Sequence, residues 1–259
     1  MDGVIGLGVV VAIAAAIRST WSPCGQSMLS QITPFSERAR GQRYSVTAAC
    51  FVLGSAVGGA TLGAATALGA LVVSAAGLGG DGALGIAAGL ALLTAAVDAG
   101  VFAAAPPFFR RQVNEDWLPR YRGWLYGVGF GWQVGVGIAT YIMTAGVFLT
   151  AALAVLTADP LAAFLVPVAF GVTRGLTVYL TAHVRTPAGL QSFHRRFDAW
   201  GEPTRRGVIV VWLAAATLGA FAIAPVAGLV VGLVTVAAAV VLLATRRAQA
   251  QLSDARAQS

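Results

Sequence analysis

The groups in this chain that could do chemistry are thiols, hydroxyls, amides and guanidinium groups set within apolar sequence. The densest such stretch is Arg18-Ser-Thr-Trp-Ser-Pro-Cys-Gly-Gln-Ser-Met-Leu-Ser-Gln-Ile-Thr-Pro34, polar and proline-broken, directly after an apolar run. Ser22, Pro23, Cys24, Gly25 and Gln26 place a thiol and several hydrogen-bonding groups at a break in a helix, and Pro34 closes the stretch. A thiol exposed to a polar cavity at such a break can have a lowered pKa and act as a nucleophile. The second thiol, Cys50, lies just inside the next apolar run. Two further charges, Asp98 and Arg174, sit inside apolar runs, where each costs several kcal/mol unless it meets a partner or water. Gln133 and Thr140 add hydrogen-bonding groups to a later glycine-rich run.

Two chemistries follow from these residues. Arg174 and Arg18 would draw an anionic or zwitterionic group to the broken stretch, with Ser22, Cys24, Gln26, Gln133 and Thr140 completing a solute site. Alternatively, Cys24 and Cys50 would exchange a disulfide, for which helical rise gives compatible depths of about 13 and 9 Å from one membrane face. The competing explanations are inert packing for the thiols and a structural pair or snorkelling for the charges. On the same rise Arg174 and Asp98 lie about 14 and 10 Å deep, which permits an ion pair. There is no CxxC, no His/Cys/carboxylate cluster and no hydrolytic triad, so no metal or other cofactor is expected. The only enzyme these residues admit is a thiol–disulfide oxidoreductase.

The elements that must position these groups follow from composition. Of 259 residues, 58% are hydrophobic and only 10% charged, with a mean hydropathy of +0.79, against about 25% charged in a soluble domain. The solvent is therefore a bilayer. A net charge of +7 reflects basic cytoplasmic loops and not nucleic-acid binding. All 17 basic residues are arginine, which codon bias in a GC-rich bacterial genome accounts for. Asp2, with no basic residue before the first apolar run, argues against a cleaved signal peptide.

At about 20 apolar residues per crossing, the predicted spans are 4–32, 45–74, 83–105, 123–156, 161–183, 207–224 and 226–245. They form one membrane domain, 1–245, followed by a polar tail, 246–259. The first, second and fourth spans are too long for a straight crossing, and proline favours a break in the first. With the N-terminus outside and the C-terminus in the cytoplasm, every arginine except Arg18 and Arg174 falls on the cytoplasmic side. In the fifth loop, Thr186-Pro187 opens a helix. Its Leu190, Phe193, Phe197 and Trp200 oppose Arg195, Arg196 and Asp198, the pattern of an interfacial helix that Gly201 and Pro203 end. In the third loop Phe108, Phe109, Trp117 and Tyr121 form an aromatic belt. The glycines of 127–137, like Gly54, Gly58, Gly59 and Gly63, allow close helix packing and do not form a nucleotide loop.

The first three spans and the next three start on opposite sides, which divides the chain into inverted halves, 4–105 and 123–224, plus a seventh helix. The segment 51–63 loosely parallels 164–176. Ser22-Pro-Cys-Gly25 in a broken first span, then Ile32-Thr-Pro34, a basic loop and a glycine-rich second span, resembles the transmembrane CcdA/DsbD family and the wider superfamily of LysE-like exporters, over residues 5–75. The resemblance implies electron transfer through one cysteine in the first span and another in the fourth. Cys24 matches the first, but the fourth span has no cysteine, which leaves Cys50. The expectation is an all-helical inner-membrane bundle acting as a secondary transporter or exporter of a small anionic or zwitterionic solute. The alternatives are a thiol–disulfide electron carrier with a thioredoxin-like partner and a non-transporting scaffold subunit.

Overall fold

A computed structural model describes residues 2–101 and 120–233. These are all-helical, with no strand among the described residues. The helices are α1 (Asp2–Ser19), α2 (Pro23–Gln31), α3 (Pro34–Ala39), α4 (Tyr44–Ala75), α5 (Asp81–Ala99), α6 (Gly123–Val136), α7 (Gly146–Leu156), α8 (Pro160–Leu176), α9 (Pro187–Ala199) and α10 (Gly201–Ile223), with a 3-10 turn, Thr177–Thr181, continuing α8. Among the described residues four helices are long and apolar enough to cross a membrane, and a fifth span results if α1 and α2 count as one. The aromatic belt at 108–117, residues 102–105 of the third span, most of 226–245 and the tail 246–259 lie outside the described residues.

The first span breaks where its sequence turns polar. α1 ends at Ser19, and α2 starts with Pro23 at its first turn, bent by 68° from α1. Proline lacks an N–H and suits a helix start, and the Ser22 hydroxyl caps the new helix by accepting from Gly25 N–H at 3.2 Å. Pro34 repeats the device, with Thr33 accepting from Ser36 N–H at 3.0 Å. The fourth predicted span is also two helices, α6 and α7, interrupted over 137–145. The second stays unbroken for 32 residues, about 48 Å of helix.

Helix α4 is the axis of the bundle. It runs parallel to α6, with Gly54 against Val128, Gly131 against Phe51 and Gly135 against Ser55. It runs antiparallel to α8, with Gly59 against Pro167 and Gly63 against Phe164. A Cβ on Gly135 would sit 2.0 Å from the Ser55 carbonyl oxygen and one on Gly59 2.5 Å from that of Pro167, so only glycine permits these approaches. Pro167 lacks the N–H that would bond the Ala163 carbonyl, and the Thr66 hydroxyl of α4 donates to it instead at 2.7 Å. Ser55 likewise donates to the Gly171 carbonyl at 2.8 Å.

Around this axis α1 packs on α7 and α8, and α5 lies antiparallel against α10, with Gly219 over Ala88. Beyond Ala224 the chain turns back, Gly228 meeting Phe221 and Gly232 facing Thr217. Gly201 and Pro203, expected to end the amphipathic segment, instead open α10 after a turn at Trp200. The amphipathic helix α9 packs on protein rather than standing apart at a lipid surface. Its Phe197 is buried and stacks on Trp21 at 4.3 Å, and Trp21 Nε1 donates to the Phe197 carbonyl at 2.9 Å.

Candidate functional site

The corner between α1 and α2 is organised by Arg174. This residue ends α8 and is fully buried, and its guanidinium donates to the Ser19 carbonyl at 3.4 Å and to the Ser22 hydroxyl at 3.2 Å. Ser22 thus caps α2 and anchors Arg174 with the same oxygen. Gly25 is required by the tightness of the corner, since a Cβ there would lie 2.1 Å from the Thr20 carbonyl oxygen. Pro23 fixes the start of α2, and Gln26 bonds through its N–H to the Ser22 carbonyl at 2.9 Å. Cys24 is buried beside Met28 and Leu29, near enough to Arg174 to act on its charge. The structure therefore brings Ser22, Pro23, Cys24, Gly25, Gln26 and Arg174 together.

The other predicted residues fall elsewhere. Arg18 is buried on the side of α1 that faces the charges of Asp98, Arg205 and Glu202. Asp98 does not pair with Arg174. Its carboxylate accepts from the Thr144 hydroxyl, from Ala145 N–H at 2.9 Å and from Trp212 Nε1 at 3.0 Å, while Arg205 donates to its carbonyl at 2.9 Å. Depth estimates say nothing about azimuth, and Asp98 points toward the start of α7. There it serves as a cap supplied from another helix, assisted by Thr144, which accepts from Gly146 N–H at 3.1 Å. Gln133 donates only within its own helix, to the Gly129 carbonyl at 3.5 Å. Thr140 is buried in the second break with no hydrogen-bond partner for its hydroxyl.

The two breaks approach each other across one ring. Gly137, with a positive φ of 76° at the end of α6, packs on Phe170, and the Arg174 guanidinium lies 5.9 Å from the centre of that ring. Cys24 and Cys50 are not joined by a disulfide. Cys50 faces Gly127 of α6.

A second polar cluster was not among the expectations. Glu37, fully buried in the short helix α3, accepts from Thr47 at 2.6 Å, from Arg40 and from the buried Tyr126 hydroxyl. Arg40 also donates to the Gln31 carbonyl and lies 5.6 Å from the Tyr126 ring centre. The cluster ties α2 and α3 to the starts of α4 and α6. The available signal was a single glutamate three residues before an arginine in an otherwise basic loop.

No protein-family model matches the chain, and no solved structure matches it. Curated relatives do. The chain is 32% identical over 193 residues to the methylamine utilization protein MauF of Paracoccus versutus, covering 73% of this chain and 69% of that protein. It is 34% identical over 174 residues to MauF of Methylorubrum extorquens, covering 64% and 59%, and 31% identical over 179 residues to MauF of Methylobacillus flagellatus, covering 67% and 62%. The match thus spans about three fifths of the latter two proteins. These relatives overturn the resemblance to the CcdA/DsbD family and to LysE-like exporters, which rested on one short motif that any proline-started helix with a serine cap can share. The same relatives, which are named methylamine utilization proteins, overturn the expected transporter or exporter of a small solute and the thiol–disulfide carrier. The small-solute and thioredoxin-like partners fall with them.

Proposed function

Because the chain belongs to the MauF family, we propose that it is a membrane-embedded accessory protein of methylamine utilization. The observation that carries this reading is its similarity to methylamine utilization proteins of several bacteria. The apolar helices support the membrane setting. In this reading the α1–α2 corner, with Ser22, Pro23, Cys24, Gly25, Gln26 and Arg174, is one functional locus, and the α6–α7 break with Gln133 and Thr140 is its neighbour. Arg18, Asp98 and Pro34 hold the surrounding helix ends.

Within the single domain 1–245 the fold reads as two inverted halves, 4–105 and 123–224, with 226–245 as a further helix. The packing pattern supports this. Each half opens with a broken helix, α4 packs on α6 as α8 packs on α1, and α5 pairs with α10. The register of these pairs gathers Arg40, Arg43, Arg122, Arg185 and Arg205 at one end of the bundle, which supports a cytoplasmic assignment for that end.

A deletion strain tests the role. It should fail to grow with methylamine as its only carbon and nitrogen source, grow normally on succinate with ammonium, and be restored by the wild-type gene. Normal growth of the deletion strain on methylamine would sink the reading.

A further inference from the structure

We propose that the corner between α1, α2 and the end of α8 holds one small inorganic monovalent anion, of halide type, as the counter-charge of Arg174. The argument starts from charge balance. A buried guanidinium is tolerated only when paired and hydrogen-bonded. Among the described residues Glu37 is paired with Arg40, and Arg18 lies within electrostatic reach of Asp98 and Glu202 as well as Arg205. Arg174, 1% exposed, forms no ion pair with any described carboxylate, and its two hydrogen-bond acceptors, the Ser19 carbonyl and the Ser22 hydroxyl, are neutral.

The donors at the corner also exceed the acceptors. Arg174 Nε and the Ser19 hydroxyl are both buried without a hydrogen-bond partner. α2 presents its N-terminus to the same corner, and its first turn carries no acidic residue. A helix N-terminus, a guanidinium N–H and a hydroxyl form an anion-binding set. The Phe170 ring lies 5.9 Å from the guanidinium, and Cys24, Met28 and Leu29 of α2 are buried, which favours an ion of atomic size over a carboxylate-bearing organic molecule. Among the described residues the internal rival is Cys24, whose sulfur could supply the negative charge itself.

The experiment uses the full-length protein in detergent, with bromide or chloride replacing gluconate at constant ionic strength and thermal unfolding as the readout. The expected result is a saturable rise in Tm of roughly 5–10 °C once halide reaches about a hundred times its dissociation constant. Arg174→Gln should abolish the halide dependence. If that variant does not fold, Ser19→Ala, which keeps the charge and removes one donor, should shift the half-saturating halide concentration upward roughly tenfold. A Tm that does not respond to halide in the wild type, or an equal response in Arg174→Gln, overturns the proposal. A flat wild type whose Cys24→Ser variant becomes halide-dependent also overturns it and identifies the thiolate as the counter-charge.

Discussion

Glu37 and Asp98 use their charge in the same way, each accepting several hydrogen bonds from elements distant in sequence. Glu37→Gln should lower the unfolding free energy by about 2–4 kcal/mol, because it leaves Arg40 without its anion and breaks the bonds to Tyr126 and Thr47. Thermal unfolding in detergent measures it, and an unchanged Tm would show that the cluster contributes nothing. Asp98 and Arg174 share no partner. The effects of Asp98→Asn and Arg174→Gln on stability should therefore add within about 0.5 kcal/mol. A double mutant more stable than that sum would restore the ion pair that depth alone permitted. Arg174 and the Ser22–Gln26 stretch were legible in the sequence, since charge or polarity within an apolar run is conspicuous. Glu37 was not, because among Arg38, Arg40 and Arg43 it reads as one more loop charge, and nothing local reveals that Tyr126 and Thr47 close over it.

Among the elements, the break in the first span announced itself through Pro23 and its serine cap, whereas the break at 137–145 contains no proline and was visible only as excess length. Ser22→Ala should cost more than the approximately 1 kcal/mol of a lost cap, since the same oxygen also receives Arg174. If its destabilisation equals that of Thr186→Ala, where the hydroxyl only caps α9, the second role of Ser22 is void. The glycine faces of α4 and α6 were read correctly as packing surfaces, but the sequence could not say which glycines are indispensable. The structure separates them: Gly135→Ala drives a methyl group into the Ser55 backbone, while Gly89→Ala meets nothing within 4 Å. The first should yield little folded protein and the second a normal amount, by size-exclusion chromatography after detergent extraction. Equal yields would mean that α4 and α6 can move apart.

For the whole molecule, composition pointed to an all-helical chain, and among the described residues it has four helices long and apolar enough to cross a membrane. Topology is testable by reporter fusions. Fusions after residues 81, 159 and 225 should report the outside, and a fusion after 195 the cytoplasm; a cytoplasmic signal at 225 would undo the return of the chain after Ala224. Function was less legible, because the α1–α2 motif is shared by any chain that restarts a helix with Ser-Pro, and its similarity to other proteins lies in the length of the match and not in one motif. The central position of α4 has a further consequence, in time. Ser55 and its acceptor, the Gly171 carbonyl, are 116 residues apart. At a synthesis rate of about 5–20 residues per second, α4 is made roughly 6–23 seconds before the helix that completes it. During that interval its bare glycine faces and the hydroxyls of Ser55 and Thr66 stand open, so the nascent chain passes through a vulnerable stage that the finished protein no longer shows.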